Sequence, residues 1–457
     1  MVPSAASAAA VGCGFATRPA PAPPTGRTGA AQPGVASRAK TYPVRLLAWG
    51  EAPTPAGLQA AARDFNEAHL DVRLEIETRL ATLPRDAFFD QLLASVADGT
   101  APDLVHAQGW TWQPYAVQGF LQPLDELATR DNWSAAWPKA EAHDLQTRFR
   151  GKRYLCPTGC STFVLWHAPA RFYEAGLQPP RADWTYADFQ EAAIKLTRRA
   201  RDRQVYGYRW NGGYLMNFPW WRLANQQEWD RVADPRRAYW NTAAVIEAFQ
   251  FQLFDSQYRL RIAPTTQAIA ADPDAYRLET GAVAMQVRSV DALAAVEDTG
   301  RRHGATHLDV QVLPRGRASR TPHLNLIDGL VLTRASKDKE AAWEALKWLG
   351  SDAGQMRVAE QGRLCNTPAA ARRFWLPLAK QRFAVPNVEA FVKAMDDASI
   401  HLAGEIDEPA LNRDAGLDAA LAAIRDGALT AKQALDLVQP RLQRVLDSYW
   451  QAQAQPG

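Results

Sequence analysis

Long apolar runs are the first thing this sequence lacks. No stretch approaches the ~18 uninterrupted apolar residues of a membrane-spanning helix, so the body of the chain is not expected to cross a bilayer. Charge of one sign is also missing. The 52 Lys and Arg stand against 49 Asp and Glu, a formal net charge of +3 over 457 residues, with the basic residues scattered among acids. That excludes the electrostatic footprint of a nucleic-acid binder. Cysteine is scarce, at four residues. With Cys13 set aside, Cys156, Cys160 and Cys365 are odd in number, so at most one disulfide can form within the chain. The spacing of Cys156-Pro-Thr-Gly-Cys160 is neither a two-residue redox motif nor a zinc knuckle, and these thiols read as small buried hydrophobes.

Catalytic signatures are absent as well. There is no Gly-x-Ser-x-Gly elbow, no phosphate-cradling Gly-Lys-Ser loop and no Gly-x-Gly-x-x-Gly; Gly109, Gly119 and Gly151 stand singly in expected turns. His303 and His307 are four apart, but Gly304 weakens a helix there and no third ligand is near, so a surface loop is expected and no metal. Asp125-Glu126 and Asp396-Asp397 are adjacent pairs, which do not face each other on a helix and read as solvated charge. No catalytic residue and no cofactor is predicted.

What is present suits a large globular binder. At 457 residues the chain exceeds the size at which one core stops growing, so two domains or lobes are expected. Sixteen tryptophans exceed what a Leu/Ile/Val core needs, which points to an aromatic binding surface as well as a core. Near the start, a small-residue run ends Ala10-Val11-Gly12-Cys13, the pattern of a lipoprotein cleavage site with Cys13 as the lipidated residue; a fortuitous Ala-rich tail is the alternative. Residues 14–42 are rich in Pro, Ala and Gly and read as a tether.

From Val44 the pattern becomes periodic. Val44, Leu46 and Ala48 suggest a strand, and Thr54-Pro55 opens a helix whose apolar face is Leu58, Ala61, Ala62 and Phe65. Val72, Leu74 and Ile76 alternate with charged residues as a half-exposed strand, 86–97 is helical, and 103–107 is a short apolar strand. This βαβαβ alternation predicts parallel strands with ligands at their carboxyl ends, where Trp49-Gly50-Glu51 and Gln108-Gly109-Trp110 emerge. Farther on, Thr185-Tyr-Ala-Asp188 predicts a capping box, Ser336 a helix start, and Thr430-Ala-Lys-Gln433 the start of the last long helix. Trp343 and Trp348, at helical spacing, are expected in the core.

Ordered segments then bring a family into view. Residues 97–105 (Ala-Asp-Gly-Thr-Ala-Pro-Asp-Leu-Val), 119–127 (Gly-Phe-Leu-Gln-Pro-Leu-Asp-Glu-Leu), 151–157, Leu165-Trp166, 171–177, 184–189, 279–285 (Glu-Thr-Gly-Ala-Val-Ala-Met), Leu313-Pro314, 329–337 and 340–349 resemble extracellular solute-binding proteins of carbohydrate-type ABC importers. That group includes maltose-, trehalose- and glycerol-phosphate-binding receptors. The resemblance implies an α/β, two-lobed periplasmic-binding-protein-like fold of type II, each lobe a mostly parallel sheet flanked by helices, with a ligand cleft between. It implies lobe 1 from 43–155 plus 289–337, and lobe 2 from 156–288 plus 338–457. It also implies a monomeric, non-catalytic, lipid-anchored receptor outside the cell membrane, delivering a sugar to separate ABC permease subunits.

A sugar shows C–H faces that stack on aromatic rings and hydroxyls that need fixed polar partners. The aromatic segment 210–221 corresponds to a cleft-facing segment of the family, which makes Trp210, Asn211, Tyr214, Trp220 and Trp221 candidates. Trp49, Glu51, Gln108, Trp110 and Trp112 follow strand ends. Asp328 lies where the chain passes the cleft. Arg288 stands where relatives often carry an aromatic; it would hold hydroxyls or a phosphate, or else form a salt bridge between lobes. The second reading of the ligand is therefore glycerol 3-phosphate or a glycerophosphodiester, and a remoter one is a cell-surface carbohydrate-active enzyme.

Overall fold

The βαβαβ opening forms as its periodicity dictates. In this computed structural model, β1 is Tyr42–Trp49, α1 Thr54–Ala68, β2 Val72–Arg79, α2 Arg85–Ala97 and β3 Leu104–Gln108. The structure describes residues 42–49, 54–79, 85–109, 111–139, 141–200, 203–209, 228–303, 307–316, 323–399 and 413–454, of which 42–454 fall in one compact unit. Cys13 and the tether lie outside the described residues. Leu58, Ala61, Ala62 and Phe65 are all buried, so the apolar stripe of α1 faces the sheet, and Val72 and Leu74 point inward while Arg73 and Glu75 are exposed. β1 pairs in parallel with both β2 and β3.

Two long strands then carry the sheet onward. β4 (Leu155–His167) is buried at every position, and a strand covered on both faces needs no apolar/polar alternation. β5 (Met285–Ser289), β6 (Asp309–Gln311), β7 (His323–Leu332) and β8 (Ala398–Ser399) complete an eight-stranded sheet of order β6-β4-β7-β3-β1-β2, with β5 on β4 and β8 on β7. Among the described strands of this sheet, β1–β2, β1–β3 and β7–β8 pair in parallel and the other pairs are antiparallel. The two halves of β4 have different neighbours: Leu155–Thr162 pairs with β7, and Phe163–His167 with β5.

Helices start where short-range hydrogen bonds fix them. At α3 (Tyr186–Leu196) Thr185 and Asp188 form the expected reciprocal capping box, and at α8 (Ala431–Ala454) Thr430 and Gln433 do the same. Ser336 does not cap α4 (Lys339–Gly350). Asp338 does, standing immediately before the first helical residue and accepting from the Ala341 amide at 3.0 Å, while the Ser336 hydroxyl donates to Asp103 at 2.6 Å.

Packing divides the apolar side chains into three clusters. One joins β1, α1, β2 and the buried face of α4, with Trp343 at its centre and Trp348 half-buried against it. Another joins α3, residues 229–263, α7 (Leu417–Arg425) and α8. The third surrounds the middle of β4 and includes Cys160, Cys365 and α6 (Glu389–Asp396). The apolar stripe of α4 faces β1 and α1, whereas α7 and α8 cover α3. Cys156, Cys160 and Cys365 are free and buried, and burial pushes the Cys365 thiol up to about 12. Among the described residues no helix is long and apolar enough to cross a membrane.

Candidate functional site

The site is built from one row across three strands. Gln108 at the carboxyl end of β3 lies opposite Asp328 on β7, and Asp328 lies opposite Gly159 on β4. Directly paired residues share a face, so the sequence-predicted Gln108 and Asp328 meet there. Next to this row the β4–β7 register slips: Asp328 pairs with Gly159 but Gly329 pairs with Pro157, leaving Thr158 as an extra residue. Pro157 has no amide to give to the ladder, and the Thr158 carbonyl accepts instead from Gln355 Nε2 at 3.1 Å. Gly329 is required at this slip, since a Cβ there would stand 2.5 Å from the Cys156 carbonyl oxygen.

A helix end supplies the missing cation. α5 (Asp352–Glu360) closes at Gly362, whose φ of +81° turns the chain so that Leu364 bridges to Cys160. Arg363, between them, reaches Asp328 with a 2.6 Å ion pair and stands 3.9 Å from Asp291. Asp291 also accepts from the Ser161 hydroxyl at 2.6 Å and the Ser289 hydroxyl at 3.1 Å. The recess above this pair is lined by Gly57, Leu58, His106, Thr158, Gly159 and Val358 together with Asp328 and Arg363. The recess is small, about 20 Å³, and opens to solvent. Burial drives the neighbouring Cys160 thiol well above its ordinary range, so it is no thiolate nucleophile.

Other predicted residues fall elsewhere. Trp112 is 1% exposed, lies tilted against Tyr154 and donates its indole N–H to the Gln146 carbonyl at 3.0 Å, so it packs in the core here. Arg288 forms a 2.5 Å ion pair with buried Glu279, nine residues away within the same expected lobe segment, and lies over the Trp166 ring, so its charge is already met by a carboxylate and the phosphate argument that rested on it loses its support. Trp49 ends β1, and its side chain is not among those described. Glu51, Trp110, Trp210, Asn211, Tyr214, Trp220 and Trp221 lie outside the described residues. His303 ends a helix spanning Ala292–His303 and His307 is exposed. Among the described residues no group of three or more His, Cys, Asp or Glu is placed to hold a metal.

Sequence reasoning missed Arg363. Its only local signal is the preceding Gly after a helical stretch, which marks a turn but not where the next side chain points.

Solved structures share this architecture. An ABC substrate-binding protein from Listeria monocytogenes, in complex with cycloalternan, superposes with a TM-score of 0.73 at 18% identity over 89% of this chain and all of its own. The sugar-binding protein MalE of Xanthomonas citri gives 0.74 at 18% identity over 91% of this chain and all of its own. A cyclic α-maltosyl-1,6-maltose-binding protein from Arthrobacter globiformis gives 0.71 at 16% identity, over 89% and 100% respectively. The fold is therefore the two-lobed one of periplasmic-binding-protein-like receptors. No curated protein sequence matches. The profile of bacterial extracellular solute-binding proteins matches residues 48–356, about two thirds of the chain, and this protein belongs to that family.

Proposed function

We propose that this chain captures a sugar or oligosaccharide outside the membrane and delivers it to the permease of an ABC importer, without catalysing any reaction on it. The family match carries the reading; saccharide-binding relatives of the same fold supply the ligand class. The polar row at the end of β3 sits where open α/β sheets take ligands, and its Asp and Arg suit hydroxyl groups. In this reading Trp49, Glu51, Gln108, Trp110, Trp210, Asn211, Tyr214, Trp220, Trp221 and Asp328 surround the ligand. Lobe 1 is built on the α1–α4 cluster and lobe 2 on the α3–α8 cluster. The lobes close by bending where β4 and β7 change register, with ligand binding energy shifting the population toward the closed form. Cys13 carries the lipid, and residues 14–42 are the tether.

The test is a thermal-shift screen against neutral saccharides, polyols and glycerophosphodiesters. Stabilisation by a neutral saccharide that is lost in Trp220→Ala or Trp221→Ala supports the proposal. A response confined to phosphorylated compounds overturns the ligand class.

A further inference from the structure

We infer that the Gln146 side chain restrains the bend between the lobes and so sets how far they open before any ligand arrives. The inference rests on the hinged-receptor reading and deepens it, by naming a positioning residue that tunes capture without meeting the ligand. Its place in the sheet is the first observation. β3 leaves β7 at Gln108, opposite Asp328, and the Gly109 amide adds one more bond, to the Ile327 carbonyl at 2.8 Å. The Gln146 carboxamide then continues the ladder on β7. Its Oε1 accepts from the Ile327 amide at 2.9 Å, and its Nε2 donates to the Asn325 carbonyl at 3.0 Å and to the Ala142 carbonyl at 3.2 Å. A carboxamide carries both an acceptor and N–H donors, so it can stand in for the peptide group of a neighbouring strand.

The anchor of that side chain is the second observation. Gln146 follows the short helix Glu141–Leu145; its own carbonyl accepts from the Trp112 indole at 3.0 Å, and the next carbonyl, of Thr147, accepts from the Tyr154 amide at 3.0 Å. Gln146 is thereby tied to the segment after β3 and to the start of β4. The residues it holds, 325–327, pair with Thr162, Ser161 and Cys160 on one side of the Asp328/Gly329 slip, whereas 329–332 pair with β3 on the other. Its bonds to β7 therefore span the bend. Closure at the slip must lengthen or turn them, and an unpaired buried N–H or C=O costs free energy.

Burial and room supply the third. Gln146 is 1% exposed, so a ligand cannot reach it. A Cβ on Gly109 would stand 2.5 Å from Gln146 Oε1 and 2.7 Å from its Cβ, so the carboxamide reaches β7 only past a glycine. A restraint of this kind changes the population of the binding-competent form, which scales the apparent affinity for every ligand by one factor and leaves discrimination between ligands alone.

The experiment is double electron–electron resonance on the unliganded full chain, with spin labels at Glu67→Cys on α1 and Ala187→Cys on α3, both exposed positions, and with Cys13→Ser; Cys156, Cys160 and Cys365 are buried and do not take the label. The variants are Gln146→Met, which removes the amide, Gln146→Glu, which keeps the acceptor for Ile327, and Gly109→Ala, which displaces the carboxamide without altering it. Gln439→Met is the control for a merely structural loss: Gln439 accepts from the Trp240 amide at 2.8 Å and donates to the Ala238 carbonyl, a similar bridge made from α8 within the α3–α8 cluster. The expected result is a distance distribution that is displaced or about twofold broader in the Gln146 and Gly109 variants and unchanged in Gln439→Met. Calorimetric titration with maltotriose and with trehalose then shows both affinities shifted by one common factor of about three or more. A distribution unchanged in every Gln146 and Gly109 variant that folds, or altered equally in Gln439→Met, overturns the restraint. A changed preference between the two saccharides also overturns it, since a residue acting only on the lobes cannot discriminate. A broadened distribution with no binding of either saccharide counts against the sugar reading and leaves the restraint standing.

Discussion

At the residue scale, single polar groups hold distant segments together. Asp103 accepts from the Ser336 hydroxyl at 2.6 Å, the Arg45 amide at 2.9 Å and the Tyr42 hydroxyl at 3.2 Å, joining β1, the start of β3 and the approach to α4. Asp103→Ala leaves these partners without an acceptor and is expected to cost about 2–4 kcal/mol, read as a drop in urea midpoint. A midpoint within 0.5 kcal/mol of wild type would show that the bonds contribute little. Buried histidines act through pH. Burial, partly offset by Asn325, lowers His143 to about 4, and burial lowers His167 to about 3, so both stay neutral in the folded chain while the unfolded chain protonates them near 6.5. Their contribution is present above pH 6.5 and is lost as pH falls toward 4. Stability should decline with a slope approaching roughly 1.4 kcal/mol per pH unit for each histidine, and a urea midpoint that is flat from pH 6.5 to 5 would contradict this.

At the scale of elements, some starts were legible and some were not. The Thr185–Asp188 box needs only residues three apart, so the sequence suffices to find it. Thr185→Ala should cost about 1 kcal/mol, visible as a lower melting temperature, and Thr185→Ser should restore most of it. Ser336 is not the cap, since the helix begins right after Asp338 and the Ser336 hydroxyl donates to a carboxylate 233 positions away. No local pattern reports such a partner. α8 carries an exposed proline, Pro440, well inside its 24 residues. Proline removes an intrahelical hydrogen bond and crowds the preceding turn, so Pro440→Ala is expected to stabilise the chain by about 1–3 kcal/mol in chemical denaturation. A loss of stability instead would mean that the surrounding packing requires the bend.

At the scale of the molecule, ligand binding is linked to folding. A ligand that binds only the folded chain stabilises it by about 2.7 kcal/mol at a hundredfold excess over Kd. If bending at the β4–β7 slip closes the lobes, small-angle scattering should show a smaller radius of gyration at saturating saccharide. An unchanged radius with a raised melting temperature would separate capture from closure.

The sequence by itself determined the elements whose cause is local. These are the βαβαβ opening, the α1 face from Leu58 to Phe65, the two capping boxes, and the ordered segments that mark the family. It also singled out Gln108, because strand ends are readable from periodicity, and Asp328, through the family resemblance; the structure puts the two opposite each other. Only the tertiary structure decided that Arg363 faces Asp328, that Trp112 is core, that Arg288 is paired with Glu279, and that α4 packs with the first cluster. Each of these depends on which side chain a folded surface brings within about 4 Å, and contacts between residues tens to hundreds of positions apart leave no period in the sequence.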